Sequence, residues 1–295
     1  MEAETITHRA LGTKNVLTVF GGVDVLKKSC DLIDHYEDLL TVNRDQSEVM
    51  DINKAAGKHP VSVSSPVYQL AKTAILESRK NYGFNALIGP VVKLWHIGFS
   101  DARKPSEVEI KAKLAITNPE DATFDDDSQS IFLTKKGMEL DLGGIGKGYI
   151  ADRIKDLWQA YGVSSGIINL GGNLLFVGKN PKQADGLWRI GVQDPKKARD
   201  VDLAIVTMPE CSAVTSGVYE RYLKIGNETF HHIIDPRTGY PLKTDLAGVT
   251  VFTKTSIEAE LLDKKLFFNG PVASSEKLGA VFVYQDGTVK YDQIK

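Results

Sequence analysis

Apolar positions in this chain change period along its length, and the changes mark its elements. Residues 11–20 alternate in a way that predicts a strand closing on Gly21-Gly22. From residue 25 to 40 the spacing turns helical, with Leu26, Cys30, Ile33, Tyr36 and Leu40 on one face. Ser47 is placed to cap a short helix reaching Asn53. Ser65-Pro66 reads as an N-cap followed by proline at the first helical position. That helix turns Val67, Leu70, Ala74 and Ile75 inward, and Gly83 suits its far end. Ser106-Glu107-Val108-Glu109 fits a capping box. The acidic run 120–127 is expected as a solvated loop, since it lacks the glycine and terminal glutamate of a calcium loop.

A second alternating stretch, 130–142, leads into Asp141-Leu142-Gly143-Gly144-Ile145-Gly146-Lys147-Gly148-Tyr149-Ile150-Ala151-Asp152. A helical pattern leaves it, with Ile150, Ile154, Leu157, Trp158 and Tyr161 along one face. Short strands are expected at 166–170, 174–177, 187–192, 203–208 and 218–225, with another over 231–235 that ends at the turn Pro236-Arg237-Thr238-Gly239-Tyr240-Pro241. Residues 249–253 precede a helical stretch, 257–268, ending near Asn269-Gly270. The Asp286-Gly287 pair between apolar runs predicts a closing hairpin. Helices crowd the first half and strands the second. The fold class is therefore expected to be α+β, a helix-rich N-terminal half packed on a strand-rich C-terminal half. No repeat, linker or composition shift marks a boundary, so 1–295 is expected to be a single domain.

Composition narrows the function without naming one. A content of 42% hydrophobic and 25% charged residues in 295 is ordinary for a globular protein. The formal charge of −2 gives no electrostatic reason to expect nucleic acid or an anionic membrane as partner. Two cysteines, Cys30 and Cys211, are too few for a disulfide framework and sit among apolar neighbours. No apolar run has the length of a transmembrane helix, and the first residues lack a signal segment. A cytoplasmic location is the expectation.

Candidate chemistry lies in four segments. At a strand-to-helix turn, Gly143, Gly144, Gly146 and Gly148 let backbone amides approach a ligand, and Lys147 adds positive charge. The Walker spacing is absent. The others are Asn169 with Gly171, Gly172 and Asn173; Thr215-Ser216-Gly217 with Glu220-Arg221; and 232–241. Singly each has a plain reading: turn-forming asparagines, a solvated ion pair, a half-buried histidine. Together they point to a shared polyanionic ligand.

These stretches give the chain its resemblance. It resembles the FAD:protein FMN transferase family, the ApbE type. The resemblance rests on Leu11-Gly12-Thr13, Ser47-Glu48 with Asn53, Gly83-Phe84-Asn85 to Gly89-Pro90 with Leu94-Trp95, and 141–152. It continues through Ile168-Asn169-Leu170-Gly171-Gly172-Asn173, Ala213-Val214-Thr215-Ser216-Gly217 with Glu220-Arg221, and His232–Pro241, in family order throughout. It implies a flavin-nucleotide cleft between the two halves and transfer of FMN from FAD to a threonine hydroxyl of a partner protein, with AMP released. Some relatives hydrolyse FAD instead. The implied flavin-nucleotide ligands are Gly143, Gly144, Gly146, Lys147, Asn169, Gly171, Gly172, Asn173, Thr215, Ser216, Gly217, Glu220, Arg221, His232, Asp235 and Thr238. By the same analogy His232 is the base for the hydroxyl proton, because an unperturbed histidine titrates near working pH, and Lys147 assists at the phosphates. Asp235 and Arg237 would shape the turn carrying His232.

The resemblance also implies magnesium, and there the chain departs from it. Anchored on Leu266-Phe267 and Gly270, the family's carboxylate and threonine positions are Glu260 and Lys264. Glu260 keeps an oxygen ligand, with the Gly146 carbonyl and Asp263 as further candidates. Lys264 has donors only, and its i, i+4 spacing lets it pair with Glu260. Asn85 also stands where an acidic residue is common. Two other readings follow: a flavin-binding protein with a degraded metal site, and an FAD pyrophosphatase.

Overall fold

The structure, a computed structural model, describes residues 2–197 and 201–294. It opens with an antiparallel hairpin, β1 (Ala3–Ala10) and β2 (Thr13–Phe20). Leu11 and Gly12, at φ 57° and 66°, form its two-residue turn, so the strand expected from residue 11 begins two residues later. Only Ala10 of β1 is buried, which leaves no alternation from which to read that strand. α1 (Leu26–Leu40) and α2 (Glu48–Ala55) follow, and the Ser47 hydroxyl accepts from the Met50 N–H at 2.9 Å as the cap of α2. After β3 (Val61–Ser62), α3 (Ser65–Arg79) starts from Ser64 rather than Ser65. It stops short of Gly83 because Asn81, at φ 53°, has left the helical region. α4 (Gly89–Trp95) is too short for periodicity to reveal, whereas α5 (Glu107–Leu114) begins with the expected capping box of Ser106 and Glu109.

The acidic run 120–127 is not wholly a loop. A 3₁₀ turn, Pro119–Asp121, leads into β4 (Ala122–Asp125), which pairs with β5 (Ser130–Leu133) while Ala122 is buried. β5 ends well before residue 142. Met138, Leu140 and Leu142 still point inward, but a side chain takes the place of a neighbouring strand. Asn53 donates to the Leu140 carbonyl at 2.9 Å and accepts from the Leu140 N–H at 2.7 Å. The Asp141 N–H donates to the Ala86 carbonyl at 2.8 Å.

Next come α6 (Gly146–Ala160), β6 (Ser165–Leu170), β7 (Asn173–Gly178), β8 (Trp188–Gln193), β9 (Asp202–Met208) and β10 (Ser212–Gly217). β11 (Tyr222–Ile225) and β12 (Glu228–His231) form a hairpin, so the strand expected over 218–225 starts only after a turn. Of the strand expected over 231–235, His231 closes β12 and Ile234 forms a bridge to Pro241. β13 (Leu246–Thr253), α7 (Ser256–Asn269), β14 (Lys277–Tyr284) and β15 (Val289–Asp292) complete the chain, with Asp286-Gly287 in the last hairpin turn. The fold is α+β.

These elements gather into two compact units. One comprises Met1–Glu37, Ile145–Gly217 and Asp245–Lys295. Its frame is one eight-stranded antiparallel sheet in the order β1-β2-β6-β7-β10-β13-β14-β15. α6 packs on β6 and β7, and α7 on β7, β10 and β13. Gly166 makes the α6 contact possible, because a Cβ there would lie 2.4 Å from the Trp158 ring. The β8–β9 hairpin buries Trp188, Ile190, Val192, Val206 and Met208 in a core with Phe20, Phe176 and Phe252.

The other unit comprises Asp38–Gly144 and Val218–Thr244. It holds α2 to α5, the small sheet β3-β5-β4 and the β11–β12 hairpin. Val91, Trp95, Ile97, Ile110 and Ile234 form one of its cores. The long sheet therefore shares its unit with α6, α7 and most of α1, while α2 to α5 gather in the other, so helices and strands do not divide into successive halves of the chain. One boundary falls inside α1, and another between Gly144 and Ile145 in the middle of the glycine-rich motif. Composition marks neither.

Candidate functional site

In the sheet unit, the candidate residues cluster where α6, α7, β7 and β10 begin or end. Gly146 is the first residue of α6 and is buried, and Lys147 follows it half-buried. None of Gly143, Gly144, Gly146 or Gly148 has a positive φ, so the motif's glycines are not there for left-handed backbone. Gly148 has a packing reason: a Cβ would lie 2.6 Å from the Ser256 carbonyl oxygen and 2.8 Å from Glu260 Cγ. Its bare surface lets the first turn of α6 lie against α7. Asp152, one turn on and buried, accepts from the Ser256 N–H at 2.7 Å and the Ile257 N–H at 2.9 Å. A carboxylate there completes the N-terminus of α7 and suits its dipole. Asp152 closes the glycine motif in the sequence, but only the fold shows that it anchors another helix.

Asn173, buried at the start of β7, also serves α7. It donates to Glu260 Oε1 at 2.8 Å and accepts from the Ser256 hydroxyl at 2.7 Å. Asn169 turns back to accept from the Gly172 N–H at 2.9 Å, holding the β6–β7 turn in which Gly171 and Gly172 have φ 63° and 98°. Thr215 pairs with Thr250 at 2.8 Å, and Ser216 donates through both its N–H and its hydroxyl to Asp263. The sequence-predicted residues Asn173, Ser216, Glu260 and Asp263 are therefore tied into one cluster along α7.

Lys264 sits within it. Its ammonium lies 2.5 Å from Glu260 Oε2 and 3.7 Å from Asp263 Oδ2, with side chains 20%, 5% and 0% exposed respectively. Burial alone would push the Glu260 carboxyl up, yet the Lys264 ammonium, with Lys147 behind it, holds it below its usual range. Burial outweighs the same ammonium at Asp263 and pushes that carboxyl up to about 7. Burial opposes the charge on Lys264, and its two carboxylate neighbours more than restore it, leaving its pKa raised.

This donor set does not fit the magnesium that the resemblance implies. At the threonine position stands an ammonium with three donors and no acceptor. Both Glu260 oxygens are engaged, one by Lys264 and one by Asn173. Ser216 occupies both Asp263 oxygens. Among the described residues no group of three His, Cys, Asp or Glu side chains is placed to hold a metal ion.

In the helical unit the candidate residues line the 232–241 turn. Asp235 accepts from the Arg237 N–H at 2.9 Å and takes its guanidinium in a fork of 2.8 Å and 2.8 Å. Gly239, at φ 74°, donates back to the Asp235 carbonyl at 2.8 Å. Its own carbonyl accepts from Trp95 Nε1 at 2.8 Å, and a Cβ on it would strike Ile110 at 2.4 Å. The turn is thereby locked to α4 and α5. Thr238 stays exposed, its hydroxyl accepting from the Tyr240 N–H at 3.3 Å.

His232 is half-buried at the start of this turn. Its Nδ1 faces the Arg221 carbonyl at 3.2 Å, which requires Nδ1 to carry the proton and leaves the lone pair on Nε2. Burial, and the positive charge of Arg221, push its pKa from 6.5 down to about 4. The ordinary titration expected of it is therefore displaced, and at neutral pH the ring is an uncharged acceptor. Arg221 extends over Gly98, where a Cβ would meet its side chain at 3.0 Å. Gly143, also in this unit, donates to Asp141 at 2.8 Å, while Asn85 donates to the Thr117 carbonyl at 2.9 Å. A cavity of about 490 Å³ borders the turn at Pro236 and Arg237 and is also lined by Arg79, Asn85, Thr117 and Glu120, and His232 is not part of it.

The profile of the ApbE family matches residues 11–280. An FAD:protein FMN transferase of Klebsiella pneumoniae is 44% identical over 259 residues, covering 85% of this chain and 79% of that protein. One from Treponema pallidum is 32% identical over 292 residues, covering 90% and 78%. The crystal structure of the ApbE protein from Thermotoga maritima superposes with a TM-score of 0.90 at 25% identity, covering 99% and 97% of the two chains.

Proposed function

The chain belongs to the ApbE family, and on that premise we infer that it is an FAD:protein FMN transferase, moving FMN from FAD onto a threonine hydroxyl of another protein with release of AMP. The observation that carries this reading is the family match over 11–280, with the glycine-rich and His232 motifs unbroken within it. The whole chain, 1–295, serves as one flavin-transferase domain.

In the transfer, the threonine oxygen bonds to the FMN phosphorus and the bond from that phosphorus to the AMP phosphate oxygen breaks. Such a reaction depends on neutralising phosphate oxygens and placing the nucleophile. The start of α6 supplies the first need through its N–H groups at Gly146 and Lys147 and the Lys147 ammonium. Asn169, Gly171, Gly172, Thr215, Ser216 and Gly217 extend the nucleotide-binding surface of the sheet unit. Asn173 acts behind them by holding Glu260. In the helical unit Gly143, Gly144, Glu220, Arg221, Asp235 and Thr238 are assigned to the nucleotide. His232 takes the hydroxyl proton on Nε2. Its lowered pKa keeps it unprotonated, although it makes a weaker base than an ordinary histidine. The magnesium implied by the resemblance has no fitting donor set, so no step is assigned to it.

The test is to co-express the protein with a flavin-acceptor domain, denature the mixture, and look for flavin covalently held by the acceptor and for AMP. His232→Asn should lower AMP release by about 10²-fold or more while leaving FAD binding within a few-fold. Absence of both covalent flavin and AMP with the unmutated protein would refute the assignment.

A further inference from the structure

Where a divalent ion would need oxygen ligands, this protein carries an amino group in a finished setting. Lys264 is one helical turn from Glu260 and beside Asp263, and its ammonium is fixed by the first at 2.5 Å and attracted by the second at 3.7 Å. The carboxylates are oriented from outside the helix, Glu260 by Asn173 and Asp263 by Ser216. Asp152 fixes the start of the helix that carries all three residues. An ammonium has three donors, and Glu260 takes one of them at close range. The lysine side chain keeps 20% of its surface open, while Glu260 and Asp263 hold its charged end in the interior. A chance surface lysine would not be seated among three independent supports.

We propose that Lys264 is a built-in cation, its ammonium standing where the family resemblance puts a divalent metal, so that the protein engages the FAD pyrophosphate without a metal ion at this position. The proposal rests on the reading of the chain as an FMN transferase. Lysine is a competent point charge for phosphate oxygens, though it lacks the second charge and the rigid octahedral geometry of magnesium. Glu260 is then a positioning residue for the ammonium rather than a ligand. Lys147, close enough to bias the Glu260 carboxyl, adds a second positive charge on the adjoining helix.

Manganese, a paramagnetic probe for divalent sites, tests the proposal. Metal-stripped wild-type protein should leave the spectrum of free Mn²⁺ undiminished, whereas Lys264→Thr should take up a single ion and gain melting temperature on adding it. Glu260→Gln in the Lys264→Thr background should abolish that uptake. The proposal is overturned if wild type itself binds one Mn²⁺ that Glu260→Gln removes, or if folded Lys264→Thr binds none. Should Lys264→Thr fail to fold, the wild-type titration still decides, together with FAD affinity read from flavin fluorescence. That affinity should differ by less than about threefold between chelator and magnesium, and a larger loss on chelation overturns the idea. Failure to bind FAD under either condition would defeat the flavin reading itself, while the manganese titration would still judge Lys264.

Discussion

The α7 cluster and the His232 turn bury ionisable groups in opposite ways. Around Lys264 charge is kept: an ammonium and the Glu260 carboxylate enter the interior together, and each shifts the other toward its ionised form. At His232 charge is given up, because the ring is buried beside the cationic Arg221 and its pKa falls to about 4. The same desolvation acts on both: at Glu260 the Lys264 ammonium overcomes it, whereas at His232 the Arg221 guanidinium adds to it. A buried pair can present a permanent charge to a ligand. A buried single base presents only a lone pair.

Removing one member of the pair should break the contrast most severely. Lys264→Met strands the buried Glu260 carboxylate and is expected to cost about 3–5 kcal/mol of stability in urea denaturation. Adding Glu260→Gln should recover most of that loss, because the amide still offers Asn173 an acceptor without a charge. If the double variant is no more stable than Lys264→Met, the carboxylate is not what the lysine compensates. In the helical unit the corresponding loss should be smaller. Trp95→Phe deletes the buried donor to the Gly239 carbonyl and should cost about 1–3 kcal/mol by the same measurement.

Acid should separate the two regions more gently. As pH falls below 6.5, an unfolded chain protonates residue 232 while the folded chain does not until about 4. Stability contributed by this residue is thus present at neutral pH and declines between those values. Urea midpoints at pH 7 and pH 5 should differ less in His232→Asn than in wild type. The smallest effect is expected from Arg221→Gln. It removes the second cause of the His232 shift and leaves burial, so an NMR titration should find the ring pKa raised modestly yet still below 6.5.

How far each region could be read from the sequence follows from where its partners lie. The 232–241 turn was legible as a turn because Asp235, Arg237 and Gly239 bond to one another within a few positions. Ser47 and Ser106 were legible as caps for the same reason. The α7 cluster was only half legible. Spacing revealed that Glu260 could meet Lys264, but Asn173 and Ser216 reach it from other strands, and Asp152 from another helix. β4 was hidden by the acidic residues around it, and Asn53 replaced a strand that alternation had promised. The lowered pKa of His232 depends on burial, which no local pattern reports.

The sheet order constrains the route by which the chain can fold. β2 pairs directly with β6, joining Asn15 to Leu170, so the long sheet cannot propagate past its first hairpin until all of 38–144 has been made. Closing so long a loop is slow, whereas α2 to α5 and the β4–β5 pairing need only nearby partners. Local structure in that intervening stretch should therefore come first and shorten the span that the sheet must close. Pulse-labelled amides in α3 and α5 should gain protection before those of Leu17 and Ile168, and the reverse order would mean that the sheet nucleates despite its topology.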